Sequence, residues 1–449
     1  MGDAPTQAEA APAARVRDLL LDRRYQGYVL AILFLGYVVN VMDRSVLSVL
    51  LGSIKREFGT SDTLLGVLTG LPFAFFYSTL GLPLGIWADR TRRRTVLAFS
   101  VALWSVMTAL CGLAGSFAML LLARIGTAVG EAGGTPPSHA LISDYFPISR
   151  RATALSIYAL GVPAGAMLGS YLGGVGNDHL GWRETFVLVG LPGVLVALLV
   201  RFTIIEPPRG HADGTSKSSA AQGAAPDVLS VLRFLWQRPA FRHMCVATGL
   251  HSAVWYSGSG LNALFFQNSH HMTATQAGSW TALFSAVSAV GTFAGGWLAD
   301  RMSVRWRDRR WYMLLPGYAT LAMVPFQFTS YLPASLAVVI PSFCMMMVLA
   351  SFFFGPTFAM SQALATFRMR AQSTALVLLV QTLLGQGIGP VLTGIISDHL
   401  KPTVGVDSLK YGLVIVGLIN LWAAGHYFLS ARTLREDLDA TAQAVRGAA

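Results

Sequence analysis

Gly85-Ile86-Trp87-Ala88-Asp89-Arg90 decides the fold, because the second half of the chain repeats it as Gly296-Trp297-Leu298-Ala299-Asp300-Arg301. Each copy follows the second apolar run of its half. A second repeated pair, Asp178-His179-Leu180 and Asp398-His399-Leu400, closes the fifth apolar run of each half. Repeats that keep the same order predict a chain built from two similar halves.

Composition places the chain in a membrane. Of its 449 residues, 53% are hydrophobic and 12% are charged, and the mean hydropathy is +0.54. A soluble domain carries roughly 25% charged residues. At about 20 residues per span, this length allows about twelve transmembrane helices. The net charge of +11 would favour a nucleic-acid partner in a soluble protein, but here the basic residues lie in loops between apolar runs, which indicates membrane orientation instead.

The apolar runs predict an all-α membrane protein of two six-helix halves. The predicted spans are 27–51, 63–87, 95–115, 117–142, 151–176 and 184–205, then 241–268, 277–299, 311–332, 335–364, 371–397 and 409–431. The predicted domains are an N-terminal tail (1–26), a first bundle (27–205), a linker (206–240), a second bundle (241–431) and a C-terminal tail (432–449). The linker is the one long polar stretch, and its Gly, Ser and Ala content is typical of a flexible connection.

The distribution of Lys and Arg predicts that both tails and the linker are cytoplasmic. With that orientation, 26 of the 33 basic residues face the cytoplasm and five face the opposite side. The other two, Arg44 and Arg124, lie inside apolar runs. The basic, Ala-rich, short-looped character is typical of bacterial proteins, so we expect a multi-pass protein of the cell inner membrane. We also expect the protein to be a monomer.

No enzymatic or ATP-driven machinery is visible in the sequence. It contains no P-loop lysine motif, no metal-spaced His and Cys cluster and no nucleophile elbow. Cys111, Cys245 and Cys344 lie far apart in apolar runs, where small buried hydrophobes are the expected role. We therefore predict no enzyme activity, no cofactor and no metal.

The stretch from Gly81 to Arg94 resembles the loop signature between the second and third helices of the major facilitator superfamily. Its glycines allow close helix approach, and an Asp there can bind a helix N-terminus or an Arg. The alternative is a basic topology anchor, a role that suits Arg92 to Arg94 in any case. The predicted gating residues are Asp89, Arg90, Arg93, Asp300 and Arg301.

Four ionisable residues lie inside the apolar runs of the first half: Asp43, Arg44, Arg124 and Glu131. Such groups cost several kcal/mol in a membrane unless they face a partner or water. Helix rise puts Asp43 about 12 Å and Arg124 about 10 Å below the outer surface, with Glu131 about two turns deeper. This predicts an outer trio of charges and a separate, deeper Glu131.

Two functions fit this cluster. A carboxylate that meets an Arg in one state and an apolar site in another exchanges a proton between the states. Glu131 and Asp43 are therefore predicted proton-coupling sites, and Arg44 and Arg124 are predicted charge partners or substrate binders. The alternative is a static charge network that fixes helix packing.

The second half has no Lys, Arg, Asp or Glu in the interior of its predicted spans. The predicted substrate-binding residues there are His251, Trp255, Tyr256 and Asn262. His251 is equally consistent with a buried hydrogen-bonding role. Met345 to Met347 and Phe352 to Phe354 could form an apolar substrate wall, or belong to the core or the lipid-facing surface.

Residues 28–200 resemble the Spinster family of the major facilitator superfamily. The resemblance rests on Met42-Asp43-Arg44, on Trp87-Ala88-Asp89-Arg90, on Val129-Gly130-Glu131-Ala132 and on Leu141-Ile142-Ser143-Asp144-Tyr145-Phe146. It implies the major facilitator fold and a proton-coupled, alternating-access transporter of an amphiphilic anionic or zwitterionic substrate, similar to a lysolipid or sphingoid phosphate. Two alternatives remain open: a transporter of small organic anions, and a membrane receptor that does not transport.

Overall fold

The computed structural model describes residue 20 and residues 22–208, 211–213, 227–366 and 369–447. Most of the predicted N-terminal tail and part of the predicted linker, residues 209–210 and 214–226, lie outside the described residues. Within the described ranges the chain is helical, in agreement with the predicted all-α class.

Nine α-helices cover the first half: α1 (Arg23–Phe58), α2 (Asp62–Pro72), α3 (Ser78–Arg90), α4 (Arg93–Gly112), α5 (Phe117–Ala132), α6 (Thr135–Tyr145), α7 (Ile148–Ala159), α8 (Gly161–His179) and α9 (Trp182–Thr203), counted over the described residues. Several of the predicted spans are interrupted. The fourth predicted span is divided at Gly133-Gly134 into α5 and α6, and the fifth is divided at Leu160 into α7 and α8.

The described part of the second half contains α10 (Val228–Trp236), α11 (Pro239–Ser269), α12 (Ala274–Arg305), α13 (Trp311–Tyr331), α14 (Leu336–Ala350), α15 (Phe354–Ala363), α16 (Arg370–Val380), α17 (Gly389–Val404), α18 (Ser408–Gly417) and α19 (Ile419–Gly447). One helix start there follows a clear local sequence signal. Thr273 forms a capping box with Gln276 at the start of α12.

Among the described residues, nine helical segments are long and apolar enough to cross a membrane. One of them, Gln372–Ala444, contains two of the predicted spans. The helices Pro239–Ser269 and Trp311–Tyr331 lie at two further predicted spans but are not among the nine. The total of twelve spans therefore stays a prediction, as does the cytoplasmic location of both termini.

Two π-helical segments interrupt the second and eleventh predicted spans. Phe73–Tyr77 directly follows Pro72, and Gln381–Ile388 directly precedes α17. A β-carbon added at Gly387 would lie 3.0 Å from the Ala74 β-carbon, so the two segments are in contact. Such wide turns occur mostly at functional or bending positions, and periodicity in the sequence does not reveal them.

The chain forms two compact units, and neither coincides with a predicted bundle. Unit 1 contains Met1–Arg44, Thr79–Ala166 and Arg183–Gly223. Unit 2 contains Ser45–Ser78, Met167–Trp182 and Ala224–Ala449. The later parts of α1 and α8, with α2, therefore belong to the same unit as the second half, because glycines let α2 and α8 pack closely against its helices.

Most of the predicted C-terminal tail is part of the last helix, α19. Within α19, Asp437 accepts a hydrogen bond from the Ala240 backbone N–H at 2.7 Å, and Arg435 forms an ion pair with Asp308 at 2.8 Å. Burial alone would raise the pKa of Asp308, but hydrogen bonds from Arg435 and Arg310 outweigh burial and hold that pKa below its usual value. The ion pair therefore persists at neutral pH and fixes the helix to unit 2.

Candidate functional site

The four ionisable residues of the first half form two ion pairs inside unit 1. Arg124 Nη1 donates to Asp43 Oδ2 at 3.0 Å. Arg44 Nε donates to Glu131 Oε2 at 2.6 Å, and Arg44 Nη2 lies 3.3 Å from Asn40 Oδ1. The structure thus brings together all four residues that the sequence singled out.

The predicted separation of Glu131 from an outer trio is wrong, because Glu131 binds Arg44. Side chains on a helix lean toward its N-terminus. Arg44 follows this rule and extends along α1 to Asn40, one turn earlier. An estimate of depth from the helix rise per residue does not include the length of the side chain. The Arg44 side chain extends far enough to bring its guanidinium to the level of Glu131.

The two pairs differ in exposure. The side chains of Asp43, Arg124 and Glu131 are at most 6% exposed, whereas the Arg44 side chain is 32% exposed. Asp43 Oδ1, Arg124 Nε and Glu131 Oε1 are buried and have no hydrogen-bond partner. The Arg44–Glu131 pair can therefore separate at lower cost, because the Arg44 side chain is only partly buried.

A small cavity adjoins this cluster at Asn40. It holds about 10 Å³, which is room for a single water molecule. Its polar lining residues include Asn40, Ser138 and Tyr158. This cavity is too small for a substrate head group.

The predicted gating residues of the first loop differ in their surroundings. The Asp89 side chain lies outside the described residues, and Arg90 is exposed. Arg93 is 5% exposed and ion-paired with Asp144, while Glu206 accepts the backbone N–H groups of Arg93 and Arg94 at 3.0 and 2.9 Å. All of these Arg93 contacts lie inside unit 1, which favours an anchoring role for Arg93 over the predicted gating role.

Neither Asp144 nor Glu206 was among the predicted site residues. Asp144 belongs to the segment that carries the Spinster resemblance, and Glu206 directly precedes Pro207-Pro208 at the end of the first half. The two N–H groups that Glu206 binds open α4 and would otherwise lack partners.

In the second copy of the loop motif, Asp300 and Arg301 are exposed. Asp300 accepts a hydrogen bond from the Tyr312 hydroxyl at 2.5 Å. The Arg301 guanidinium lies 5.4 Å from the centre of the Trp297 ring. Both contacts are within unit 2, and the gating role of these residues stays a prediction.

His251 lies in the interior of unit 2. Its Nε2 donates to the Ala350 carbonyl at 2.9 Å, and its Nδ1 lies 3.0 Å from the Asn420 side-chain amide. The residue is 1% exposed. Since both ring nitrogens are bonded, the geometry favours the structural alternative over substrate binding for this residue.

The other three predicted binding residues of α11 also have partners in unit 2. Asn262 is buried and accepts a hydrogen bond from the Tyr331 hydroxyl at 2.8 Å. Trp255 is half-buried with its ring edge to Phe354, and the half-buried Tyr256 packs beside Gly385. The described residues contain no group of three or more His, Cys, Asp or Glu side chains suited to a metal ion.

We expect His251→Leu to lower the free energy of unfolding by about 2–4 kcal/mol, because it leaves a buried carbonyl unpaired and changes the packing. Substrate affinity should stay within a factor of two. Thermal melting in detergent and a binding titration measure the two quantities. A tenfold loss of affinity without a loss of stability would support the substrate-binding role instead.

Comparison with known proteins identifies the family. The model of the Major Facilitator Superfamily matches residues 33–390 and 244–446. The chain belongs to the major facilitator superfamily. It is therefore a multi-pass membrane transporter and not an enzyme.

Within the superfamily the chain is of the Spinster type. A solved bacterial homolog of the human lysosomal transporter Spinster, inward-facing and unoccupied, has a TM-score of 0.84 and 31% identity, covering 93% of this chain and 99% of that one. The zebrafish sphingosine-1-phosphate transporter SPNS2 is 24% identical over 97% of this chain and 90% of its own length. An MFS-type efflux pump of Mycolicibacterium smegmatis is 29% identical over 91% of this chain and 93% of its own length.

Proposed function

We propose that the chain is a proton-coupled secondary transporter of an amphiphilic anionic or zwitterionic substrate, similar to a lysolipid or sphingoid phosphate. It would work by alternating access between its two halves. The observation that supports this most is the unequal burial of the two ion pairs, since of their four side chains only that of Arg44 is partly exposed.

Proton coupling would centre on the Arg44–Glu131 pair. While Arg44 donates to Glu131, the buried carboxylate is stabilised as the anion. If Arg44 turns to an anionic substrate, Glu131 loses this partner in a buried site, which favours its neutral, protonated form. Asp43 would keep its ion pair longer, because its partner Arg124 is itself buried.

Substrate binding would use the same arginines. A guanidinium binds phosphate or carboxylate oxygens through two parallel hydrogen bonds. Arg44 would hold the head group first, and Arg124 would take part only if the Asp43 pair opened. Trp255, Tyr256 and the Met and Phe residues of the second half would accept an apolar tail. A lipid-like substrate is favoured by the sphingosine-1-phosphate transport named for the SPNS2 relative.

The membrane arrangement is part of the proposal. We place twelve spans in the cell inner membrane, with both termini and the linker in the cytoplasm, and the protein acts as a monomer. The excess of Lys and Arg on one side supports this orientation.

A substrate screen by thermal stabilisation tests the substrate class. We expect lysophospholipids or sphingoid phosphates to raise the melting temperature saturably, since a ligand at 100 times its dissociation constant adds about 2.7 kcal/mol. Arg44→Gln should weaken the affinity at least tenfold. Arg233→Gln, which changes an exposed arginine of α10, is the matched control and should leave the affinity unchanged.

The outcomes separate the candidate functions. Stabilisation by small organic anions alone would replace the amphiphile with the alternative substrate class. Binding without flux in proteoliposomes would favour a receptor and contradict the proposed transport.

A further inference from the structure

Two carboxylates cap the N-terminal ends of two helices in unit 2. Asp398 Oδ1 accepts the Asp62 N–H at 2.9 Å, and Asp398 Oδ2 accepts the Thr63 N–H at 2.8 Å. Asp178 Oδ1 accepts the Ala274 N–H at 3.2 Å, and its Oδ2 accepts the Thr275 N–H at 2.8 Å. We call these contacts the Asp398 cap and the Asp178 cap.

Each cap completes the hydrogen bonding of a helix start. The first N–H groups of a helix have no partner within the helix. In α2, Ser61 accepts the third N–H and Asp398 accepts the first two. In α12, Thr273 accepts the third and Asp178 the first two. A negative charge at this position is also stabilised by the helix dipole.

Glycines repeat the same contacts one turn further along both helix pairs. An added β-carbon at Gly394 would overlap the Asp62 carbonyl oxygen, and one at Gly174 would overlap the Ala274 carbonyl oxygen. Each of these glycines lies four residues before the capping Asp. The register is therefore identical in the two caps.

The partner helices carry the reciprocal glycines. An added β-carbon at Gly66 would overlap the Pro390 carbonyl oxygen, and one at Gly278 would overlap the Ser170 carbonyl oxygen. Each lies four residues after the first capped residue of its helix. Backbone contact at this distance is possible only for glycine, and in both helix pairs it lies one turn from the cap.

The sequence carries this arrangement as two matched segments in each half. Gly174-x-x-x-Asp178 and Gly394-x-x-x-Asp398 provide the carboxylates. Ser61-x-Thr63-x-x-Gly66 and Thr273-x-Thr275-x-x-Gly278 provide the capped helix starts. The repeated Asp-His-Leu triplets mark the first kind of segment.

Each cap joins the two halves of the sequence. In the predicted orientation, all four segments lie at the end that faces away from the cytoplasm. Alternating access requires the halves to part at this end once in every cycle. The eight backbone contacts described above, four hydrogen bonds and four glycine contacts, must break in that step.

We propose that Asp178 and Asp398 are gating residues that hold the outer end of the transporter closed, an inference that rests on the alternating access proposed above. Each carboxylate stabilises the closed arrangement through its two backbone hydrogen bonds.

The Asp398 cap is the stronger of the two. Asp398 is half-buried, whereas Asp178 is exposed and more strongly screened by solvent. The Asp62 side chain makes two further contacts beside this cap. It accepts a hydrogen bond from Ser397 at 2.7 Å and forms an ion pair with Lys55. The equivalent position in the other cap is Ala274, which has no polar side chain.

Electron–electron distance measurements on the full chain test the proposal. Spin labels at Leu64 and Thr403 report on the Asp398 cap, and labels at Leu180 and Leu283 report on the Asp178 cap, after replacement of Cys111, Cys245 and Cys344. We expect Asp398→Asn to raise the population with long distances at least threefold, and Asp178→Asn to raise it less. The double variant should raise it at least tenfold.

Two further variants separate gating from general damage. Gly394→Ala should shift the distances in the same direction without removing any charge. Asp407→Asn is the matched control, because Asp407 is also predicted at the outer end and is paired with Lys410 but takes no part in either cap; it should leave the distances unchanged. Wild-type distances in both single variants and in Gly394→Ala would overturn the proposal.

The readout is independent of proton coupling, since the measurement contains neither substrate nor a pH gradient. If the wild-type protein shows no gradient-driven transport but the cap variants open, only the proton-coupled function is contradicted. If coupled transport is normal but the spin-label distances are unchanged in the cap variants, only the gating role is contradicted.

Discussion

Glu131→Gln is expected to abolish substrate accumulation driven by a pH gradient while substrate exchange without a gradient continues. The amide can still accept the Arg44 hydrogen bond but cannot exchange a proton. One pH unit supplies about 1.4 kcal/mol per proton, which sustains at most about a tenfold concentration ratio for one coupled proton. The ratio should fall from that value toward one in the variant.

Proteoliposomes with the membrane potential held at zero measure this ratio with the gradient in either direction. Asp43→Asn is the informative comparison, because Asp43 lies in the same cluster but pairs with the buried Arg124. We expect it to impair transport with and without the gradient alike. Full gradient-driven accumulation in both variants would remove the proton role from this cluster.

Arg124→Met is expected to cost the protein about 3–5 kcal/mol of unfolding free energy, because it leaves the Asp43 carboxylate buried without a cation. Arg124 donates to Asp43 Oδ2, and Asp43 Oδ1 already lacks a hydrogen-bond partner. The double variant Asp43→Asn/Arg124→Met should recover at least half of the loss, since no charge then stays buried. Denaturant or thermal unfolding in detergent measures the three values.

Lys410→Met is the matched control for this series. Its ion pair with Asp407 is three residues apart on the chain, and Asp407 is 38% exposed. Exposed pairs contribute at most about 1 kcal/mol. An Arg124→Met variant no less stable than Lys410→Met would show that the buried pair has little structural weight, and the double variant would then show no recovery.

Sequence alone predicted the helical class and the family, because these depend on hydropathy and on recognisable motifs. It did not predict the π-helical segments Phe73–Tyr77 and Gln381–Ile388, since a widened turn leaves apolar composition unchanged. The compact units were not predicted either. They depend on helix pairs whose glycine contacts join residues from opposite ends of the chain.

The candidate site shows the same limit at the scale of single side chains. The cost of burying charge identified Asp43, Arg44, Arg124 and Glu131, and the structure brings all four together. Their pairing could not be derived from helix rise, because the direction and length of the Arg44 side chain decide it. The triplet around Asp398 was visible as a repeat, but its partner Thr63 lies 335 residues away and no local pattern links the two.

Asp178 belongs to the first half of the chain and binds a helix of the second, whereas Asp398 belongs to the second half and binds a helix of the first. This exchange is the contact pattern of an isologous dimer, in which two identical subunits present the same pair of surfaces to each other. A single six-helix ancestor that carried both segments could already have formed both contacts with a second copy of itself. Gene fusion would then have joined two subunits that were already assembled, without the need for a new interface.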